Sequence, residues 1–567
     1  MDILTKLKLY AHVMRWRWNW EKYDLHYPPP VKDNPKFMTA WEAVKLIPDG
    51  AVMGTSGMAG NQPCSLMYWA IRDHFRQEGR PRDLTLVNIG GQGGRGKVPG
   101  TLEELAVEGL IKRMIVSHTE SCKGQLEMGQ AGKLEIQCTL FGPLTFCLRA
   151  QGEGQDHIIC DTGAGTFVDP RTGTGTRVCP PDAPQYVEVT ESGRFKYWLP
   201  PVDTAVFSAP AADRKGNIYF KNCSFIGESY SLPKAVRRHG GRTIVNVGLI
   251  VEEGYDKEFL PADQVDAIVY WPETEQVTTV KHRKYWDCFT PQSTLPIDEG
   301  LARTRYINSI LRVMSTRVPV DEALARLGTR VFAENAMKGD HVDIGVGHPE
   351  EVARLLHESG VMKNLHMINE SGAFGGVSAP GIFFGAAINP HTIVPSVQAF
   401  DRMYKRLDWV ILGALEVDSQ GNVNVSRRGK DPINHVGPGG FIDLCTCAKN
   451  ILFCCSWSDQ GKIAIQGNQV KVLKPGNAKF IDKVQEITFN GHEGLKQNKK
   501  VFYITHLGAF RLTDRGMELI YVMPGIDIQK DIIEACSMKI VLPESGAPTV
   551  VGDDVVTGRD FRFELGD

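Results

Sequence analysis

No run in the 567-residue chain approaches the roughly 20 consecutive apolar residues that a helix needs to cross a bilayer. The N-terminus also lacks the basic, apolar and small-residue succession of a secretory leader. Together these absences predict a cytoplasmic protein with no membrane partner. An excess of one charge is missing too: 64 Lys and Arg against 66 Asp and Glu leave a net charge of −2, so no nucleic-acid partner is implied. There is no dense cysteine framework, because the thirteen cysteines are odd in number and irregularly spaced, as suits thiols in a reducing compartment. Cys445-Thr446-Cys447 and Cys454-Cys455 miss the ligand spacing of zinc sites, and no His pair follows them. Cys445 and Cys447 read instead as alternating positions of an extended apolar segment. No metal is expected.

What is present is an ordinary globular composition, 42% apolar and 23% charged, in a chain too long for one hydrophobic core. The first 35 residues form a distinct arm, with Arg15, Trp16, Arg17, Trp18 and Trp20 followed by Pro28, Pro29, Pro30 and Pro35. Basic and aromatic residues together can make a membrane-surface helix. An arm packed on the body or on a neighbouring subunit is the plainer expectation.

The remainder repeats itself. Asp213-Arg-Lys-Gly216-Asn217-Ile218 returns as Asp418-Ser-Gln-Gly421-Asn422-Val423, each after an apolar run and before alternating residues, the pattern of strand, turn and strand. Arg242-Thr-Ile-Val matches Lys449-Asn-Ile-Leu. Earlier, Asp49 to Gly57 resembles Gly339 to Gly347, each a strand running into glycines, and a proline then opens a helical stretch at Pro63 and at Pro349. Strands Leu84-Thr-Leu-Val-Asn88 and Leu365-His-Met-Ile-Asn369 follow. Strand and helix alternation predicts βαβ units. The expected fold class is therefore α/β, two similar open, mainly parallel-sheet domains at residues 36–315 and 316–567, with the active site in the cleft between them. Val318-Pro319-Val-Asp321-Glu322 is predicted to cap the first helix of the second domain.

Ligands of open parallel sheets bind outside the carboxyl ends of strands. That rule selects the loop Gly90 to Gly96, containing Gln92, and the loop Glu370 to Gly376. The first carries a G-x-G-x-x-G match at Gly91, Gly93 and Gly96, but Lys97-Val-Pro99-Gly100 interrupts where a dinucleotide fold needs a helix to open, and the helix is expected from Thr101. In the second, glycines around Glu370 let a bulky ligand reach the backbone, whose amides can hold an oxyanion.

Asn369-Glu-Ser-Gly-Ala-Phe-Gly-Gly376, with Ala379-Pro-Gly381, Phe384-Gly-Ala-Ala387 and Asn389-Pro390, resembles the nucleophile region of family I CoA transferases of the fused single-chain propionate or acetate type. Gly91-Gln92-Gly93, Gly165 to Arg171, Gly421 to Val425, Gly437-Pro-Gly-Gly-Phe441 and Phe510 to Asp527 agree in order, so the resemblance spans about residues 40–545. The arm has no counterpart in the family. Ala373-Phe374 also departs from its usual smaller or aliphatic pair, which leaves the acids open.

The resemblance implies a transferase that moves CoA from an acyl-CoA to a short- or medium-chain carboxylic acid. Glu370 is then the nucleophile, forming a glutamyl-CoA thioester, and Gln92 with the amides of Gly439 and Gly440 steadies the oxyanions. Gly385, Asn389 and Gly413 are the expected close-approach positions for CoA. No cofactor is permanently bound; coenzyme A is substrate and covalent intermediate. Self-association into a homo-oligomer is expected. Alternatives are an acyl-CoA hydrolase on the same scaffold, a non-catalytic CoA-binding regulator and an acyl-carrier transferase subunit of a decarboxylase. Phe374, Phe383 and Phe384 suggest an apolar acyl pocket, and Lys496, Lys499 and Lys500 are cations within reach of CoA phosphates.

Overall fold

Apolar strands separated by helices build two sheets with one topology. The computed structural model describes residues 1–93, 98–173, 178, 180, 182–314, 317–429 and 431–567. One sheet runs Ala267–Tyr270, Arg242–Val251, Thr204–Asp213, Val52–Thr55 and Leu84–Asn88, and continues through Ile111–Val116 to Glu135–Cys138, all parallel. The other runs Lys500–Ile504, Ala448–Cys454, Leu407–Gly413, His341–Ile344 and His366–Ile368, also parallel. Each of these last five strands occupies the same place in its sheet as its counterpart among the first five. Every strand pair matched in the sequence is a pair of equivalent strands here. The second sheet then extends antiparallel at both ends, through Gly508–Thr513 and Gly516–Val522 on one side and Ala373–Phe374 and Thr392–Ile393 on the other.

The repeated turn has one physical cause in both halves. The Asp213 carboxylate accepts from the amides of Lys215, Gly216 and Asn217, and from the Asn217 and Tyr219 side chains, at 2.8–3.0 Å. Asp418 does the same with the amides of Gln420 and Asn422, the Asn422 side chain and the Val484 amide, at 3.0–3.2 Å. Gly216 and Gly421 both take positive φ, 99° and 74°, where a side chain would strain the turn.

The first helix of the second half is Pro319–Ala333, with Asp321 reaching back to the Val318 amide at 3.0 Å, as its capping sequence predicts. The expected division at 315/316 and the residues Gly94, Arg95, Gly96 and Lys97 of the first glycine loop lie outside the described residues. Beyond that loop, Thr101 caps a short 3₁₀ turn, Leu102–Leu105. One expectation is corrected: Cys445 and Cys447 lie on the helix Phe441–Cys447, and the strand begins only at Ala448. The Gly437-Pro-Gly-Gly440 loop turns the chain into that helix, a local effect that apolar alternation cannot reveal. The N-terminal helix Ile3–Asn19 packs on the body, where Trp16 donates to Glu275 at 2.7 Å and the His12 ring sits 5.4 Å from Trp286.

The halves meet along the carboxyl ends of their strands. Asn61 donates to the Phe384 carbonyl at 2.7 Å, Thr119 to the His435 carbonyl at 2.9 Å, and the Gly439 amide to the Ser117 carbonyl at 2.8 Å. That seam is the cleft expected from the parallel-sheet rule.

Replacing Asp418 by Ala strands four backbone or side-chain donors at a buried turn, so a loss of about 3 kcal/mol is expected as a lower urea midpoint. An unchanged midpoint would mean that the turn holds without its carboxylate.

Candidate active site

Glu370 stands at the tip of a tight reversal between two strands. After His366–Ile368 the chain folds back at once: the Gly372 amide donates to the Asn369 carbonyl at 2.8 Å, the Asn369 amide to the Ala373 carbonyl at 2.9 Å, and the Ser371 amide to Asn369 Oδ1 at 3.0 Å. The glycines make this possible by close approach. A Cβ on Gly372 would overlap the Val394 carbonyl, and one on Gly376 the Ile388 carbonyl. The carboxylate is thereby pushed toward the second glycine loop of the same half.

There Gly440 receives it. A Cβ on Gly440 would overlap Glu370 Oε2, so this position is glycine because the carboxylate occupies the space. Oε2 is buried without a hydrogen-bond partner in the protein. Burial, with the Asp343 and Asp443 carboxylates close by, pushes the Glu370 carboxyl up to about 8, and the Gly440 amide opposes the rise. Asp343, at the end of its strand, and Asp443, on the helix after the glycine loop, are each pushed up to about 7, chiefly by burial. Asp443 accepts from the Gly142 amide at 3.1 Å and from the Tyr404 hydroxyl at 2.8 Å, which ties it to both halves.

Gln92 lies in the first half, buried with 1% exposure. Its Oε1 accepts from the Tyr68 hydroxyl, and its Nε2 donates to the Gln62 carbonyl at 2.9 Å, leaving one N–H of the amide. A Cβ on Gly57 would overlap that amide. The Gln92 loop reaches the Glu370 pocket through His118: Gly91 packs on one side of His118, and Gly437 and Gly439 on the other.

The expected CoA positions separate. Gly413 follows its strand with open room, for the nearest atom to a Cβ there is the Val346 carbonyl at 3.8 Å. Gly385 has φ 90° and faces Asn61 and Met58 of the other half, so inter-half packing already requires its lack of a side chain. Asn389 takes φ 53°, donates to the Leu295 carbonyl and keeps a buried Oδ1 without a partner. Phe383 is fully buried against Phe289, whereas Phe374 is half-buried with the Arg402 guanidinium 4.6 Å from its ring. Lys499 is committed to the Thr446 and Ala448 carbonyls, and Lys496 pairs with Glu493 at 3.6 Å.

Three polar residues around the site went unread in the sequence, Asp343, Asp443 and His118, as did the buried Glu228 elsewhere in the fold. Asp343 and Asp443 are lone acids inside apolar strings, and that isolation was the available signal. Nothing in spacing or motif marks Glu228. It is buried, neither carboxylate oxygen has a geometric partner, and burial raises it to about 7 beside Ser396.

Asp321, His348 and His506 form the one cluster among the described residues with metal-ligand spacing. Asp321 Oδ1 is 3.3 Å from His348 Nε2 and 2.9 Å from His506 Nε2. The Trp457 amide, however, donates to His506 Nδ1 at 3.4 Å. Nε2 then carries the ring proton and donates to Asp321, the reverse of what a metal ligand needs. Against the cost of burial, hydrogen bonds from His348 and His506 hold Asp321 well below the usual carboxylate range. The cluster latches a helix start to the sheet edge.

No family model matches the chain. Caffeate CoA-transferase of Acetobacterium woodii is 28% identical over 514 residues, covering 88% of this chain and 93% of that protein. Acetate CoA-transferase YdiF of Escherichia coli (strain K12) is 28% identical over 528 residues, 91% of this chain and 95% of that one. Among solved structures, the acyl-CoA transferase of Escherichia coli O157:H7, crystallised as a thioester complex with CoA, superimposes with a TM-score of 0.81 at 26% identity, covering 94% of this chain and 98% of that chain.

A carboxyl raised from 4.5 to about 8 on folding holds its proton more tightly in the folded chain, so the folded state loses stability as pH rises through that interval. Glu370→Gln should therefore raise the melting temperature, and by more at the alkaline end of the interval than at the acid end. A gain that does not grow with pH would contradict the buried-acid assignment.

Proposed function

Because the chain belongs to the family I CoA-transferases, we propose that it works by a ping-pong cycle in which Glu370 carries CoA as a thioester between an acyl-CoA and a short- or medium-chain carboxylic acid. The observation that supports this most is the Glu370 carboxylate, buried against Gly440 with one oxygen unpartnered. A carboxylate shielded from water is a stronger nucleophile than a solvated one.

In the first half-cycle, Glu370 attacks the thioester carbonyl of the donor, giving a mixed anhydride and CoA thiolate. The thiolate attacks the glutamyl carbonyl; the donor acid leaves and the enzyme holds CoA as a thioester. An acceptor carboxylate runs the two steps backward. Bonds and charges balance without ATP, redox chemistry or a metal. The remaining amide N–H of Gln92 and the amide of Gly440 are the proposed donors to the oxyanions; the Gly439 amide, expected to share this role, is instead committed to the Ser117 carbonyl. Gly413 and the Asn389 Oδ1 are the proposed contacts for CoA, with Gly385 shaping the same edge.

Asp343 and Asp443 then act as positioning residues. Their charge keeps Glu370 basic, so its ionised form attacks well. The relatives are named for acids as different in size as caffeate and acetate, so the acid taken by this chain is left to its own pocket. In this chain, half-buried Phe374 beside Arg402 is the proposed feature of that pocket.

Initial rates against acyl-CoA at several acceptor concentrations should give parallel double-reciprocal lines; intersecting lines would exclude the covalent cycle. Without an acceptor, release of the donor acid should stop after about one equivalent with CoA kept on the enzyme, whereas continued release of free CoA would identify a hydrolase. Glu370→Ala should lower kcat on the order of 10⁴-fold or more with CoA binding kept. Gly440→Ala should lower kcat by roughly 10²-fold, since its methyl displaces the carboxylate from its line of attack. Gln92→Ala should cost a similar roughly 10²-fold in kcat at unchanged CoA affinity. Full activity in the Gly440 variant would remove the second glycine loop from the site.

A further inference from the structure

The N-terminal helix Ile3–Asn19 has two apolar faces, and only one is used. Leu9, Val13 and Trp16 are buried against the body. On the opposite side Ile3, Leu7, Tyr10, Met14 and Trp18 recur at steps of four, three, four and four residues, with Leu4 beside them. At 100° per residue these six fall within an arc of about 120°. All six are open to solvent, Ile3 and Trp18 at 77% and 79% exposure. This is a continuous apolar stripe facing outward, unlike the singly scattered exposed residues of ordinary surfaces.

The charge around the stripe says what can cover it. Lys6 and Arg17 run along one edge, Lys8 and Arg15 along the other, and all four are exposed. The helix contains no Asp or Glu. A second copy of the chain laid on this face would bring four cations against four. An anionic lipid surface instead takes the apolar stripe and the flanking cations together.

We infer that the helix Ile3–Asn19 docks this protein on an anionic membrane surface, with the Ile3-Leu7-Tyr10-Met14-Trp18 stripe entering the boundary between headgroups and acyl chains and Lys6, Lys8, Arg15 and Arg17 meeting lipid headgroups. Trp18 sits at the end of the stripe with Lys22 5.7 Å from its ring, the pairing of amphipathic ring and cation that suits the headgroup region. This reverses the expectation of no membrane partner drawn from composition. Composition averages over the whole chain, whereas this face concentrates its cations and apolar groups on one helix. No described helix is long and apolar enough to cross a membrane, so the contact is one of lying on the surface. The inference does not depend on the CoA-transfer reading.

The test is co-sedimentation of the full chain with vesicles of phosphatidylcholine alone and of phosphatidylcholine with about 30% phosphatidylserine. The wild type should partition onto the anionic vesicles roughly tenfold or more above the neutral ones, and less as salt is raised. The Leu7→Glu, Trp18→Glu double variant should lose that binding, while its CoA-transfer rate in vesicle-free buffer stays at the wild-type level and shows that the fold is intact. The paired reversal Lys6→Glu, Arg17→Glu should lose it too. Wild-type protein remaining in the supernatant with anionic vesicles would overturn the inference. So would binding that survives the double variant, or a wild-type dimer that ignores vesicles and becomes monomeric in that variant, which would assign the face to a second copy.

Discussion

The contact on which the site depends is the one between the Glu370 carboxylate and the missing side chain of Gly440. The glutamate comes from one glycine-bearing turn and its seat from another, more than sixty residues later in the chain. For them to touch, the reversal after His366–Ile368 must be as tight as its glycines allow. Gly439 must also be held against the first half, as its amide is by the Ser117 carbonyl at 2.8 Å. Closure of the two halves and placement of the carboxylate are thus one constraint. The Asp443 carboxylate expresses the same coupling, since it accepts from Gly142 of one half and Tyr404 of the other while raising the proton affinity of Glu370.

The cost of that arrangement is electrostatic. Three acids in one buried pocket hold protons well above the usual carboxylate range, and a surface glutamate would be cheaper. A raised carboxyl is also a more basic and less solvated one once ionised, which is what attack on a thioester requires. Stability is lost where reactivity is gained, as is common at catalytic sites.

Much of the fold was legible because local chemistry repeats. Asp213 and Asp418 build the same turn by accepting from the amides two and four residues on and from the Asn side chain at the fourth, and the repeated string therefore marks equivalent strands. Glu370 was singled out by the resemblance of its motif to a transferase nucleophile region, and the glycines of that motif answer to a local need, the close return of the strand at Val394 and Ile388. The partners of Glu370 were not. Asp343 and Asp443 reach Glu370 through tertiary closure, which leaves no periodic trace. Cys445 and Cys447 misled for a related reason, as a helix of one or two turns inserted before a strand is too short to show its period. Gln92 was found by position, but its engagement with Tyr68 and Gln62 could only be seen in three dimensions.

The most direct test of the central claim is to mix the protein with an accepted acyl-CoA and no acceptor acid, quench, and map the peptides by mass spectrometry. The account predicts an adduct of CoA less one water on the segment holding Asn369, Glu370 and Ser371. It should be removed by hydroxylamine or by an acceptor carboxylate, and be absent in Glu370→Ala. Adduct found on a cysteine, or transfer proceeding under single-turnover conditions with no adduct on that segment, would contradict it.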